Sequence, residues 1–310
     1  MSNGTAVAGA IAEPRRTLRA GLGALFMRSE ALRGYSLLSP TLLIMAFGIC
    51  IPFAILITMS FWTQQGFDFD TTLSVRNYSK AFEHPVYEAL MLRSLAISGI
   101  CTIATVVLSY PMAYYVAFHV HRHKMIWIIL MTLPFWTSYL LRVFAWKIIL
   151  GYNGAINSGL KGLGLIDQPL EFLLYSQTAV VITLAHAWAA FAILPMYVSL
   201  EKIDRTLLEA ATDLGDGPVA RFLRVTLPLS LPGIIAATLI LFIPIVGDYI
   251  TPALLGGPDG MMIGNMIQAQ FGKVNNWPMG SALAIGMMLI VAACALTFMF
   301  VTRKAKEYIA

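Results

Sequence analysis

Charge is spread along this chain in a way that leaves few architectures open. Long apolar windows run within Tyr35 to Trp62, from Ser94 to about Phe118, from Met125 to Leu141, from roughly Thr178 to Leu200, from Leu229 to Ile250 and from Ser281 to Thr302. Within these windows the only Asp, Glu, Lys or Arg is Asp248. About 20 apolar residues cross the hydrocarbon of a bilayer, and interior charge is costly there. Each window therefore reads as a membrane-spanning helix, and the expected fold class is an all-α membrane protein with six transmembrane helices. The third is the least clean, with 17 uncharged residues before Arg142 and Lys147, roughly 25 Å of helix. Those two cations are expected to snorkel outward or to face the bundle.

Composition agrees. The chain is 58% hydrophobic and 12% charged over 310 residues, with a mean hydropathy of +0.74, which excludes an ordinary soluble domain. The net charge of +5 and pI near 9.1 do not point to nucleic acid, because the basic residues lie between apolar runs rather than along one stripe. Phospholipid headgroups are the expected counterions. Cys50, Cys101 and Cys294 fall inside apolar runs without metal-ligand spacing and read as small buried hydrophobes.

Orientation follows from Lys and Arg in the connections. With the N-terminus inside, the cytoplasmic side receives 14 of the 21: five in the N-terminal tail, Arg122 and Lys124, then Lys202, Arg205, Arg221 and Arg224, then Arg303, Lys304 and Lys306. Both termini are expected in the cytoplasm, with residues 1–34 a cytoplasmic tail and 35–310 the transmembrane domain. No short apolar core with a small-residue cleavage site precedes the first window, so the first span is expected to serve as the insertion signal.

One polar island interrupts the second half of the chain, EAATDLGDGPVARFLRVTLP at Glu209 to Pro228. LLEAATDLG is a short helix of good formers stopped by Gly215 and the DGP turn. Pro218 suits the first turn of a second helix, and Pro228 and Pro232 are expected to interrupt the backbone before the fifth span. A solvated loop and a docking element in a partner's groove are both compatible with these properties alone.

The spacing narrows the choice. Glu209-Ala210-Ala211, three residues, Gly215, nine residues, Val225, one residue and Leu227-Pro228 resembles the EAA loop of binding-protein-dependent ABC importer permeases, with Val225 where that family usually has isoleucine. Further stretches, LPFWTSYLLRVFAW (Leu133 to Trp146), NGAINSGLKGLGLID (Asn153 to Asp167) and FIPIVGDYITPALLGGP (Phe242 to Pro258), are similar to spermidine/putrescine-type permeases. The resemblance implies a type I ABC importer permease fold with its core over about 90–302, set in a bacterial inner membrane. It implies no enzyme activity and no cofactor on this chain. The partners would be a second permease, two ATPase subunits carrying ATP and Mg, and an external solute-binding protein. It makes Glu209, Ala210, Ala211, Gly215, Leu227 and Pro228 the ATPase-coupling residues, and a polyamine the solute.

No G-x-x-x-x-G-K-[ST] occurs, and Gly272-Lys273 is followed by Val274, so the chain lacks that nucleotide-binding device. Along the path, Asp248 stands out as an acid roughly 22 Å along the fifth span. It reads either as a cation-binding group or as an interfacial acid paired with Arg142 or a helix end. Trp136, Tyr139, Trp188 and Tyr249 could offer ring faces to ammonium groups, or anchor the interface. His119, His121 and His123 read as a basic inner flank rather than a metal set. His186 reads as a hydrogen-bonded bundle residue. Asp259 is expected to cap a short amphipathic helix, and Gly260 and Gly264 to serve packing or turns. An ion-coupled secondary transporter is the alternative, and Asp248 is its sole intramembrane acid. A membrane-embedded enzyme finds no carboxylate pair, His-rich set or nucleophile with its base.

Overall fold

The computed structural model describes residues 30–66 and 68–309; the proposed tail, 1–34, lies almost wholly outside them. The chain divides into two units, Met1–Leu56 and Ile57–Ala310. The described part of the first is the leading portion of helix α1 (Glu30–Ser60), which carries Pro40 and Pro52.

In the second unit a small hairpin pairs β1 (Thr63–Gln65) with β2 (Asp68–Asp70), Thr63 opposite Asp70. Helix α2 (Arg76–Glu83) is tied by Asn77 to the residues that follow α1, its Nδ2 donating to the Trp62 carbonyl at 2.7 Å. Helix α3 (Pro85–Phe118) begins at Pro85 rather than Ser94. Its first turns carry Glu88 and Arg93, and Arg93 Nη1 donates to the Pro258 carbonyl at 3.0 Å.

The third span departs from a single crossing. Helix α4 (Lys124–Thr132) runs into a 3-10 turn at Leu133–Trp136, and α5 (Tyr139–Ile149) leaves at 84°. Thr137 and Ser138 between them are not helical, and Pro134 has no N–H to continue the ladder. Backbone carbonyls freed at such a break need partners within the membrane. Arg142 supplies them, Nη1 donating to Pro134 O at 2.7 Å and Thr137 O at 3.1 Å. Arg142, expected to snorkel outward or to face the bundle, closes the break. Among the described residues, five helices are thus long and apolar enough to cross alone, and the bent pair brings the number to six if it forms one span.

Helix α6 (Ala155–Gly162) and a 3-10 turn at Glu171–Leu173 precede α7 (Gln177–Glu201), whose N-terminus Ser176 caps by accepting from Ala179 N at 3.1 Å. The polar island folds as α8 (Arg205–Asp213), α9 (Pro218–Arg221) and a π-helical turn at Phe222–Thr226. This enters α10 (Leu227–Val246) without interruption. The expected break at Pro228 and Pro232 is absent, and Pro218–Val246 is one 29-residue helical run. In the π turn Leu227 N donates to Phe222 O, one residue further back than in an α-helix, and the widened turn makes room for the Pro228 ring.

After a second π turn at Pro252–Gly256 come α11 (Ile263–Gly272) and α12 (Trp277–Ile309). Asp259 does not cap α11. The GGPDG segment closes as its own turn, Gly260 N donating to Gly256 O at 2.8 Å, and Asn265 Oδ1 accepts from Met262 N at 3.0 Å at the helix start.

The main core joins α3, α7 and α10 through Ile97, Cys101, Leu184, Met196, Leu241 and Ile245. Lipid tails are as apolar as these side chains, so close packing supplies the cohesion. At Gly233 a Cβ would lie 2.5 Å from Ser199 Cβ and 2.6 Å from the Pro195 carbonyl, so α10 meets α7 backbone to backbone. Ser94, Ser98, Thr102, Thr105 and Ser109 form a buried stripe along α3, with Thr105 Oγ1 donating to Cys101 O at 2.7 Å. Cys101 is buried as expected, whereas Cys50 and Cys294 are exposed.

Candidate functional site: a polar elbow and a cavity beside a helix break

The elbow between α7 and α10 is built by local chemistry. Asp204 caps α8, its carboxylate accepting from Thr206 N at 3.0 Å, and this bond holds the acid below its ordinary pKa. At the other end Asp216 N donates to Ala211 O at 3.0 Å and Gly215 N to Thr212 O at 2.9 Å, the paired bonds of a Schellman motif. Its C′ residue must be left-handed, and Gly215 has φ +92. Two arginines brace the returning helical arm of the elbow: Arg221 Nη1 donates to Thr212 Oγ1 at 2.9 Å, and Arg224 pairs with Asp216 at 2.7 Å.

Ala210, Ala211 and Pro228 line one groove with Leu207 and Leu214, about 500 Å³. Glu209 lines a second cleft with Arg205, Asp213, Arg221, Tyr114 of α3 and His119 just beyond its end. Leu227 lies at the exit of the π turn. Leu214, Val219 and Leu223 are exposed, Leu214 at 88%, so an apolar tip projects from an otherwise polar connection.

The second site is a cavity of about 450 Å³ between α5, α7 and the end of α10. Asp248, Tyr249, Tyr139 and Trp188 line it, together with Phe135, Arg142 and Phe191. Asp248 sits in the break after α10, where its Oδ1 accepts from Ile250 N at 2.9 Å. Tyr139 is not a free ring face: its hydroxyl donates to Asp248 Oδ2 at 2.5 Å and lies 2.6 Å from Thr251 Oγ1. Asp248 is therefore held by Tyr139 and a backbone N–H rather than by Arg142. Arg142 lies over the Phe135 ring, 4.8 Å from its centroid.

Trp136 is 77% exposed and is not among the cavity residues; its neighbour Phe135 takes that place because the 3-10 turn rotates Trp136 away. The Trp188 and Phe191 rings pack at a tilt of 47°, 5.3 Å between centroids. Phe135, Phe191 and Thr251 were not singled out in the sequence. Thr251 alone left a signal, as the hydroxyl three residues beyond the lone acid in DYIT.

His186 accepts from Trp146 Nε1 at 3.1 Å and is exposed rather than inside the bundle. His121 Nδ1 lies 2.9 Å from the His119 carbonyl. Among the described residues no group of three His, Cys, Asp or Glu could hold a metal.

The family model for the binding-protein-dependent transport system inner membrane component matches residues 40–306. The chain belongs to that family. It is a multi-pass inner membrane protein and a transport permease subunit. It is 37% identical over 247 residues to the spermidine/putrescine transport system permease protein PotB of Haemophilus influenzae, covering 79% of this chain and 86% of that one. PotB of Escherichia coli K12 is 35% identical over 251 residues, 81% and 90% of the two chains. The inner membrane ABC transporter permease protein YdcU of Escherichia coli is 33% identical over 267 residues, 80% and 84%.

In fold, the permease resembles a chain of a bacterial ABC transporter involved in the import of the acidic polysaccharide alginate. The TM-score is 0.73 at 18% identity, over 92% of this chain and 99% of that one. The fold is accordingly that of type I ABC importer permeases.

Proposed function

We propose that this permease forms half of the translocation path of an ATP-driven importer for a small polyamine cation of the putrescine and spermidine kind. A second permease would complete the path, two ATPase subunits would bind ATP and Mg, and an external solute-binding protein would deliver the solute. Both termini and the α8–α9 elbow face the cytoplasm in this reading, as the distribution of Lys and Arg supports.

The elbow carries the proposal. Its capped helix, glycine turn and exposed Leu214 suit docking in a groove of an ATPase. Closure of the two ATPases would draw the docked elbows together, and the unbroken helix from Pro218 to Val246 would carry that displacement to the break holding Asp248. The spans would then rock between inward-open and outward-open states. Two observations support a polyamine: the names of the PotB relatives, and a cavity that sets a carboxylate among aromatic rings, which attract ammonium groups.

Uptake of labelled putrescine and spermidine into proteoliposomes holding the whole complex tests the proposal. Glu209→Lys or Gly215→Trp is expected to abolish uptake while membrane insertion is unchanged. Normal uptake in both variants would remove the elbow from the coupling route.

A further inference from the structure

The break that carries Asp248 is fixed from behind by the start of α11. Asn265 is 6% exposed, and its amide is divided between two tasks. Oδ1 accepts from Met262 N at 3.0 Å, which starts α11, and Nδ2 donates to the Tyr249 carbonyl at 2.7 Å, across to the break. Beside it a Cβ on Gly264 would stand 2.9 Å from the carbonyl oxygens of both Gly247 and Asp248, so α11 presses its backbone directly on the segment. The start of α11 is itself held by α3, since Ile263 N donates to Ser94 Oγ at 2.7 Å and Ser94 Oγ in turn donates to Leu90 O at 2.8 Å. Tyr139 and Ile250 orient the Asp248 side chain, but the backbone from which it springs is placed by Asn265 and Gly264.

We infer that Asn265 is a positioning residue for solute recognition: through the Tyr249 carbonyl and the Gly264 contact, α11 sets where the Asp248 carboxylate stands in the cavity. The inference rests on the proposal that Asp248 lines the path of a cationic solute. Nothing in the sequence linked IGN to the acid, because the two are joined only through space.

The test separates capping from positioning. Asn265→Asp keeps an acceptor for Met262 N and removes the donor to Tyr249 O. In proteoliposomes with the full complex, with putrescine as the probe, this variant is expected to raise the KM for uptake about three- to tenfold, the range for one lost hydrogen bond. The maximal rate and the amount of complex in the membrane should stay close to those of the unaltered protein. Asp248→Asn should raise KM as well, and the double variant should be no worse than Asp248→Asn, as groups acting as a unit require.

An unaltered KM in Asn265→Asp beside a raised KM in Asp248→Asn would overturn the inference and leave the proposed function standing. An unaltered KM in Asp248→Asn would take the acid off the path and overturn both the inference and the assignment of Asp248 to the cation path, leaving the coupling role of the elbow to its own test. If Asn265→Asp is lost from the membrane, Gly264→Ala carries the same comparison: a raised KM supports positioning by α11, and an unaltered one overturns it.

Discussion

Tyr139 and Asp248 are 109 residues apart in sequence and share a 2.5 Å hydrogen bond. Bonds of this kind to an ionised acceptor contribute about 1.5–3 kcal/mol. In Tyr139→Phe the ring remains and the donor is lost, so the carboxylate keeps Ile250 N as its remaining hydrogen-bond donor. Tyr139→Phe is expected to raise the KM for a polyamine about tenfold, with the complex still assembled; direct solute binding to the purified complex would check it. Asp248→Asn should weaken cationic solutes more than neutral ones, measured as the ratio of their uptake rates, and an unchanged ratio would return the acid to a structural role. That Asp248 is special was legible in the sequence, as the one charge within the apolar windows. Its partner was not, because hydroxyl-to-carboxylate geometry depends on how α5 leaves the bent span.

Among the elements, α7 and α10 approach more closely than side chains would permit. Gly233 faces Pro195 and Ser199 with no room for a Cβ. Gly233→Leu is expected to separate the two helices and lower the yield of assembled complex severely, as overpacking costs about 1–3 kcal/mol or more; size-exclusion chromatography of the purified complex reads this directly. Asp204, the cap of α8, has a carboxyl pKa lowered by its bond to Thr206. Its capping is therefore complete above the ordinary Asp range and is lost only as pH falls through the lowered value. Changing pH between about 6 and 8 should leave the elbow intact, with uptake through Asp204→Asn as the control. The elbow was readable from composition because caps and glycine turns are local chemistry. The 84° break in the third span and the unbroken run through Pro228 were misread. Both turn on contacts that local sequence does not show: the Arg142 guanidinium takes up the carbonyls left open at the break, and a π turn widens the helix ahead of Pro228.

At the scale of the whole molecule, the large apolar area left exposed on α3, α10 and α12 requires lipid or a partner permease to cover it. If the stroke comes from ATPases gripping the elbow, accumulation in proteoliposomes should persist when ionophores collapse proton and sodium gradients. It should cease when the ATPase cannot hydrolyse ATP. The opposite pair of results would favour an ion-coupled carrier. The sequence by itself determined the class, the approximate spans and the elbow, because hydrophobic length, charge placement and capping act over a few neighbouring residues. Only the tertiary structure decided that Arg142 seals a helix break, that Tyr139 grips Asp248 and that α11 fixes the backbone beneath it. Those contacts form between segments far apart in the chain, and their geometry exists only once the helices have packed.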